Sequence, residues 1–144
     1  MRRDLRTLRL GYSTSSRELY ESLVSQSSDS AEKAPFRTQK DLFLAAACLG
    51  AHYNRFSDVA TTIKNIPASA LDEDSDIPIL VALAFQRTNG DLSVLTDAKE
   101  VARIAEGWAE GGITLLRELI ASSTTGRNPL ERLVAEVTAS SESA

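Results

Sequence analysis

A single cysteine, Cys48, and a single histidine, His52, narrow the chemistry open to this 144-residue chain. One cysteine can neither close an intramolecular disulfide nor build a cysteine metal cluster, and one histidine excludes metal ligation by several imidazoles. Any catalytic triad that needs a histidine would have to be assembled around His52, which is expected at a helix end or on the surface. No glycine-rich phosphate loop and no nucleophile paired with a base is recognisable, so neither a cofactor nor an enzymatic activity is expected. Long hydrophobic runs are lacking too: Ile77 to Phe85 is bounded by Asp76 and by Gln86 and Arg87, well short of the roughly 18 residues of a membrane span. The start of the chain carries arginines instead of the apolar run and small-residue cleavage site of a secretory signal, which points to a cytoplasmic protein with no membrane partner.

What is present is the balance of one globular domain, 42% hydrophobic and 25% charged. The charge is polarised. Residues 1–40 carry a net charge of +3 and residues 41–144 a net charge of -7. The single domain therefore divides into a basic portion, 1–51, an acidic helical portion, 52–138, and a frayed tail, 139–144. Four arginines, Arg2, Arg3, Arg6 and Arg9, stand in the first nine residues. A basic end on an acidic body suits an anionic partner, of which DNA is the commonest in the cytoplasm; the alternative is a solvated tail.

Thr7-Leu8-Arg9-Leu10 alternates polar and apolar residues and predicts a short strand that Gly11 ends. Leu19, Tyr20, Leu23 and Val24 share the face of a first helix from about Ser15 to Gln26, and the serine-rich stretch from Ser25 to Pro35 reads as a surface loop. In a second helix Leu42, Ala45, Ala46 and Leu49 form one apolar stripe. Phe43, Ala47 and Cys48 widen it, so Cys48 is expected to be a buried, inert thiol, and Gly50 a C-cap. A shorter helical stretch is expected over Ser57 to Lys64. The acidic run Asp72 to Asp76 reads as a solvated loop that caps a helix with Pro78 in its first turn, reaching about Arg87.

Asp97 to Ser122 carries the clearest helical periodicity, through Val101, Ile104, Ala105, Trp108, Leu115, Leu116, Leu119 and Ile120. Trp108 is expected to be a core anchor against the alanine-rich helix, whereas Glu106 and Glu110, one turn apart, are expected on an exposed face. Gly111-Gly112 costs roughly 2 kcal/mol relative to alanine inside a helix, so it marks a kink, a break into two helices or a tight backbone contact, with a break or kink favoured. Leu130 to Val137 gives a last short helix. The fold class is thus mainly α, with one short N-terminal strand followed by about five or six helices.

A basic strand followed by two helices resembles the ribbon-helix-helix DNA-binding proteins. The resemblance implies a homodimer in which strands of two protomers pair into a ribbon for the major groove. Leu8 and Leu10 would face inward and Thr7 and Arg9 outward to the bases. Arg2, Arg3 and Arg6 would neutralise phosphates, and Arg37, Thr38 and Lys40 at the start of the second helix would meet another phosphate.

A second resemblance spans roughly Thr7 to Leu119. Pro35-Phe36-Arg37-Thr38 with Asp41, the alanine-rich helix from Ala45 to Leu49-Gly50, Ile104-Ala105-Glu106 with Trp108-Ala109, and Gly112-Ile113 look like the small proteins associated with bacterial DNA phosphorothioation (Dnd) systems. That resemblance implies a non-catalytic accessory DNA-binding or adaptor protein of a modification or restriction system in antiviral defence. Its partners would be DNA and larger subunits of the complex. A transcriptional regulator of the same system and a pure protein adaptor are the alternatives.

Overall fold

The structure is a computed structural model, and it describes residues 8–24, 36–59, 62–121 and 138. Strand β1, Arg9–Ser13, leads through a 3-10 turn, Thr14–Ser16, into helix α1, Arg17–Leu23. Helix α2 is Gln39–His52, strand β2 is Thr62–Pro67, helix α3 is Asp76–Thr88 and helix α4 is Ala98–Ala121; further 3-10 turns stand at Ala68–Ala70 and Leu92–Thr96.

Helices α2 and α4 form the centre. α2 buries Leu42, Phe43, Ala46, Ala47 and Leu49, and α4 buries Val101, Ile104, Ala105, Trp108, Ile113 and Leu116. α3 adds Leu80, Leu83 and Ala84. One hydrophobic cluster runs from Leu8 to Leu116, so strands and helices share a core. Trp108 is buried as expected. Its Nε1–H donates to the Leu83 carbonyl at 3.1 Å, and its ring meets Phe56 edge-on at 5.2 Å. A buried indole thereby keeps its polar atom satisfied.

Gly111-Gly112 does not break the helix: α4 is continuous over Ala98–Ala121. The reason is contact. A Cβ on Gly112 would overlap the Ala46 carbonyl, one on Gly50 would overlap the Trp108 carbonyl, and one on Gly111 would overlap the Arg55 carbonyl. The backbones of α2 and α4 touch here, which offsets the propensity cost of the glycines. Gly50 is therefore an interior residue of α2 rather than its cap; Asn54, at φ 54, takes the left-handed position beyond the helix end.

Four α-helices stand among the described residues, fewer than the five or six expected, and there are two strands rather than one. The stretch expected to be helical over Ser57 to Lys64 gives way to β2. The apolar residues of β2 find their partners across the sheet, Tyr12 opposite Ile63 and Leu10 opposite Ile66. A register shift between Leu10 and Tyr12 carries β1 through Gly11, where a Cβ would crowd the Ile63 carbonyl. β1 thus pairs antiparallel with β2 of its own chain, a pairing the ribbon-helix-helix resemblance does not include. The loop expected over Ser25–Pro35 and the last helix expected over Leu130–Val137 lie outside the described residues.

Candidate nucleic-acid interface

The eight residues expected to meet DNA divide into three groups. Arg2, Arg3, Arg6 and Thr7 lie outside the described residues. Arg9 and Arg37 are exposed. Thr38 and Lys40 are tied into the protein by their own hydrogen bonds.

Arg9 is the one exposed residue of β1; Leu10, Gly11, Tyr12 and Ser13 are all buried. Its guanidinium reaches across the sheet and donates to the Lys64 carbonyl at 3.0 Å. Thr38 is the N-cap of α2, its hydroxyl accepting from the Asp41 amide at 3.2 Å. This is the geometry that threonine supplies at a helix start. Lys40 donates to Asp76 Oδ2 at 2.9 Å and lies 3.7 Å from Asp41 Oδ1. The hydrogen bond to Asp76 holds its ammonium above the ordinary lysine pKa, against an opposing desolvation. Asp76 itself is buried at the start of α3, and its Oδ2 also accepts from the Asp72 amide at 2.7 Å. Asp72 in turn accepts from the Asp74 and Ser75 amides, which lowers its pKa, so the acidic loop is bound up in its own turn.

Between the start of α2 and the end of β2 lies an open groove of about 440 Å³, lined among others by Thr38, Gln39, Lys40, Asn65 and Pro67. The Asn65 amide donates to the Tyr12 hydroxyl at 3.1 Å, and that hydroxyl donates to Gln39 Oε1 at 3.3 Å. Arg9 lies opposite Pro67 in the sheet, but its guanidinium is directed to the Lys64 carbonyl instead of into this groove.

Beneath β1 is a polar seam with α4. Glu106 and Glu110, expected on an exposed face, instead face β1. Glu106 is buried; its Oε2 accepts from the Gly11 amide at 2.8 Å and from Lys64 Nζ. Glu110 Oε1 accepts from the Ser13 hydroxyl at 3.0 Å, and Ser16 Oγ donates to Oε2 at 3.4 Å. Tyr20 stacks on Tyr12 with centroids 3.9 Å apart, and its buried hydroxyl has no hydrogen-bond partner among the described residues. Burial first, then the charge of Glu110, pushes its phenol well above the ordinary range. The signal for this seam was present in α4: between Ile104 and Ile113 the sequence offers only two carboxylates in an otherwise apolar run, and all but Glu110 are buried.

Cys48 departs from expectation in the other direction. It is exposed, on a groove between α2 and α3 that His52 and Gln86 also line. Nearby side chains still desolvate the thiol enough to raise its pKa, the opposite of an activated nucleophile. His52 is exposed at the end of α2, edge-on to Tyr53 at 4.8 Å.

Among the described residues no helix is long and apolar enough to cross a membrane. No curated protein and no solved structure matches the chain. A family model does, and its span begins at the first residue of β1 and takes in the groove, the seam and the glycine contact between α2 and α4. Residues 9–144 match the family described as DNA sulphur modification system-associated protein 4, and the chain belongs to that family of Dnd-associated proteins.

Proposed function

We propose that this chain is a non-catalytic accessory protein of a DNA phosphorothioation or restriction system. It holds the DNA backbone with a basic N-terminal surface and docks on larger subunits through its acidic helical portion. Arg2, Arg3, Arg6, Thr7, Arg9 and Arg37 are the contacts of that surface. Thr38 and Lys40 contribute least to binding, because Thr38 caps α2 and Lys40 is held by Asp76.

The observation that carries this reading over a sequence-specific regulator is the burial of β1. A strand that reads base edges must offer a row of side chains on one face. Four of the five β1 residues are buried and β2 occupies the strand's partner edge, so only Arg9 is left to meet DNA, as a phosphate contact. Phosphate contacts position a protein without reading sequence.

The test is a salt titration on two unrelated duplexes. Affinity should be equal for both and should fall with a log-log slope of about -0.9 per phosphate neutralised. Arg9→Ala and Arg37→Ala should each flatten the slope by about that amount on both duplexes. Binding tighter by several kcal/mol to one duplex would favour the regulator. No binding at low salt would leave the adaptor.

A further inference from the structure

Helices α2 and α3 run in the same direction. Lys40 and Asp76 pair at their N-terminal ends, and at the other end the Gln86 amide donates to the Ala51 carbonyl at 2.7 Å. The two ends differ in charge. Around the N-termini lie Asp41, Asp72, Glu73, Asp74 and Asp76, with Lys40 already engaged by Asp76 and Asp41. At the other end Arg55 stands just beyond α2 and Arg87 in the last turn of α3; both are exposed, and among the described residues neither has an acidic partner.

The backbone of Arg55 and the guanidinium of Arg87 are both held in place by the protein. The Arg55 amide donates to the Gly50 carbonyl at 2.7 Å, and the Arg55 carbonyl rests on α4 where Gly111 has no side chain. Phe56 lies against Gly107 in the same way, and the Ser57 amide donates to the Gly107 carbonyl at 3.1 Å. The guanidinium of Arg87 covers that phenyl ring, its central carbon 3.9 Å from the Phe56 centroid and 5.9 Å from that of Trp108. A guanidinium stacked by its face keeps its N–H edge free and oriented for a bidentate anion. The nearest acidic residues in sequence are occupied: Asp58 pairs with Arg103 at 2.6 Å, and Asp91 accepts from the Ser93 amide and hydroxyl.

We infer that Arg55 and Arg87 form a second phosphate-binding pair, which takes a phosphodiester of the DNA backbone at the end of the molecule opposite Lys40. This rests on the DNA reading above and extends it. The 14 residues of α2 separate the two ends by about 20 Å, which is about six nucleotide steps along one strand. A duplex that reaches both ends would meet Arg37 near one and Arg55 with Arg87 at the other, standing off the carboxylates around the start of α3. Local charge suits this end: among the described residues Arg55 and Arg87 have no acidic partner, and Arg87 is in addition oriented by the Phe56 ring, which sets the pair apart from Lys99 and Arg117, exposed cations without such a stack.

Trp108, the sole tryptophan, sits beside Arg87 and reports on the site. The experiment titrates the full chain with a labelled duplex, reading duplex anisotropy and Trp108 emission together. Wild-type binding should shift the emission. Arg55→Gln and Arg87→Gln should each flatten the log-log salt slope by about 0.9. Arg87→Lys, which keeps the charge but loses the planar stack, should retain the slope, whereas a purely packing role for Arg87 would make lysine and glutamine behave alike. Lys99→Gln on the same acidic body should change nothing. If the duplex binds while Trp108 stays silent and both glutamine variants match wild type, the Arg55 and Arg87 site is overturned and the wider DNA reading stands. If no duplex binds at low salt, both fall. If the glutamine variants weaken binding while Arg9→Ala and Arg37→Ala do not, the pair stands and the N-terminal surface is displaced as the main contact.

Discussion

Helix α4 meets its neighbours in two unlike ways. Toward α2 the contact is dry and close, backbone against backbone, made possible by Gly50 and Gly112. Toward β1 it is polar, with two carboxylates accepting from a backbone amide, a lysine and serine hydroxyls. The first interface depends on shape and the second on charge. Shape complementarity tolerates no added atom but is indifferent to salt, whereas a charged seam tolerates changes of volume and responds to ions.

The largest expected effect breaks the dry side. Gly112→Ala places a methyl group where the Ala46 carbonyl stands, and because both are backbone neither can swing aside. It should cost about 3 kcal/mol in chemical denaturation, equally at low and high salt. Glu106→Gln tests the polar side. It removes the charge facing Lys64 while leaving an oxygen for the Gly11 amide, and should cost about 1 to 2 kcal/mol. That cost should shrink in high salt, since Lys64 is 43% exposed at its side chain. Equal salt dependence of the two variants would erase the distinction between the interfaces.

The smallest effect concerns Tyr20. Its hydroxyl is buried without a partner among the described residues, so Tyr20→Phe should leave stability at neutral pH unchanged or raise it by up to about 1 kcal/mol. The sign of its pH dependence is fixed by the raised pKa. The folded protein keeps this proton after the unfolded chain has lost it, so Tyr20 adds no pH dependence below the ordinary tyrosine pKa near 10 and costs the folded state progressively more stability as pH rises above it. Denaturation midpoints measured across that alkaline range should fall less steeply for Tyr20→Phe than for wild type.

The helices were legible in the sequence wherever an apolar stripe repeated over several turns, as in α3 and the long α4. What escaped depends on partners distant in the chain. The end of the stretch expected to be helical, Thr62 to Lys64, belongs to β2, whose partners Leu10, Tyr12 and Ser13 lie about fifty residues earlier in the chain. The glycine pair in α4 reads as a break until α2 is laid against it. Glu106 looks like any surface glutamate, since its amide partner lies 95 residues earlier. The site was legible in part: Arg9 and Arg37 are exposed as expected, but Lys40 is engaged by an aspartate from a loop read as solvated. Arg87 reads as one cation on an acidic body, because the phenyl ring beneath it comes from a segment 31 residues upstream in the chain.

The separation of Gly11 from Glu106 also bears on the order in which the protein is made. At roughly 5–20 residues per second, roughly 5–20 s pass on the ribosome between the emergence of β1 and that of the carboxylate that receives its amide. For that interval β1 cannot be seated, and it can pair with β2 only once Thr62–Pro67 has also emerged. The nascent chain would be most exposed to stray anions, ribosomal RNA among them, while the glutamates that later lie beneath it are still being synthesised.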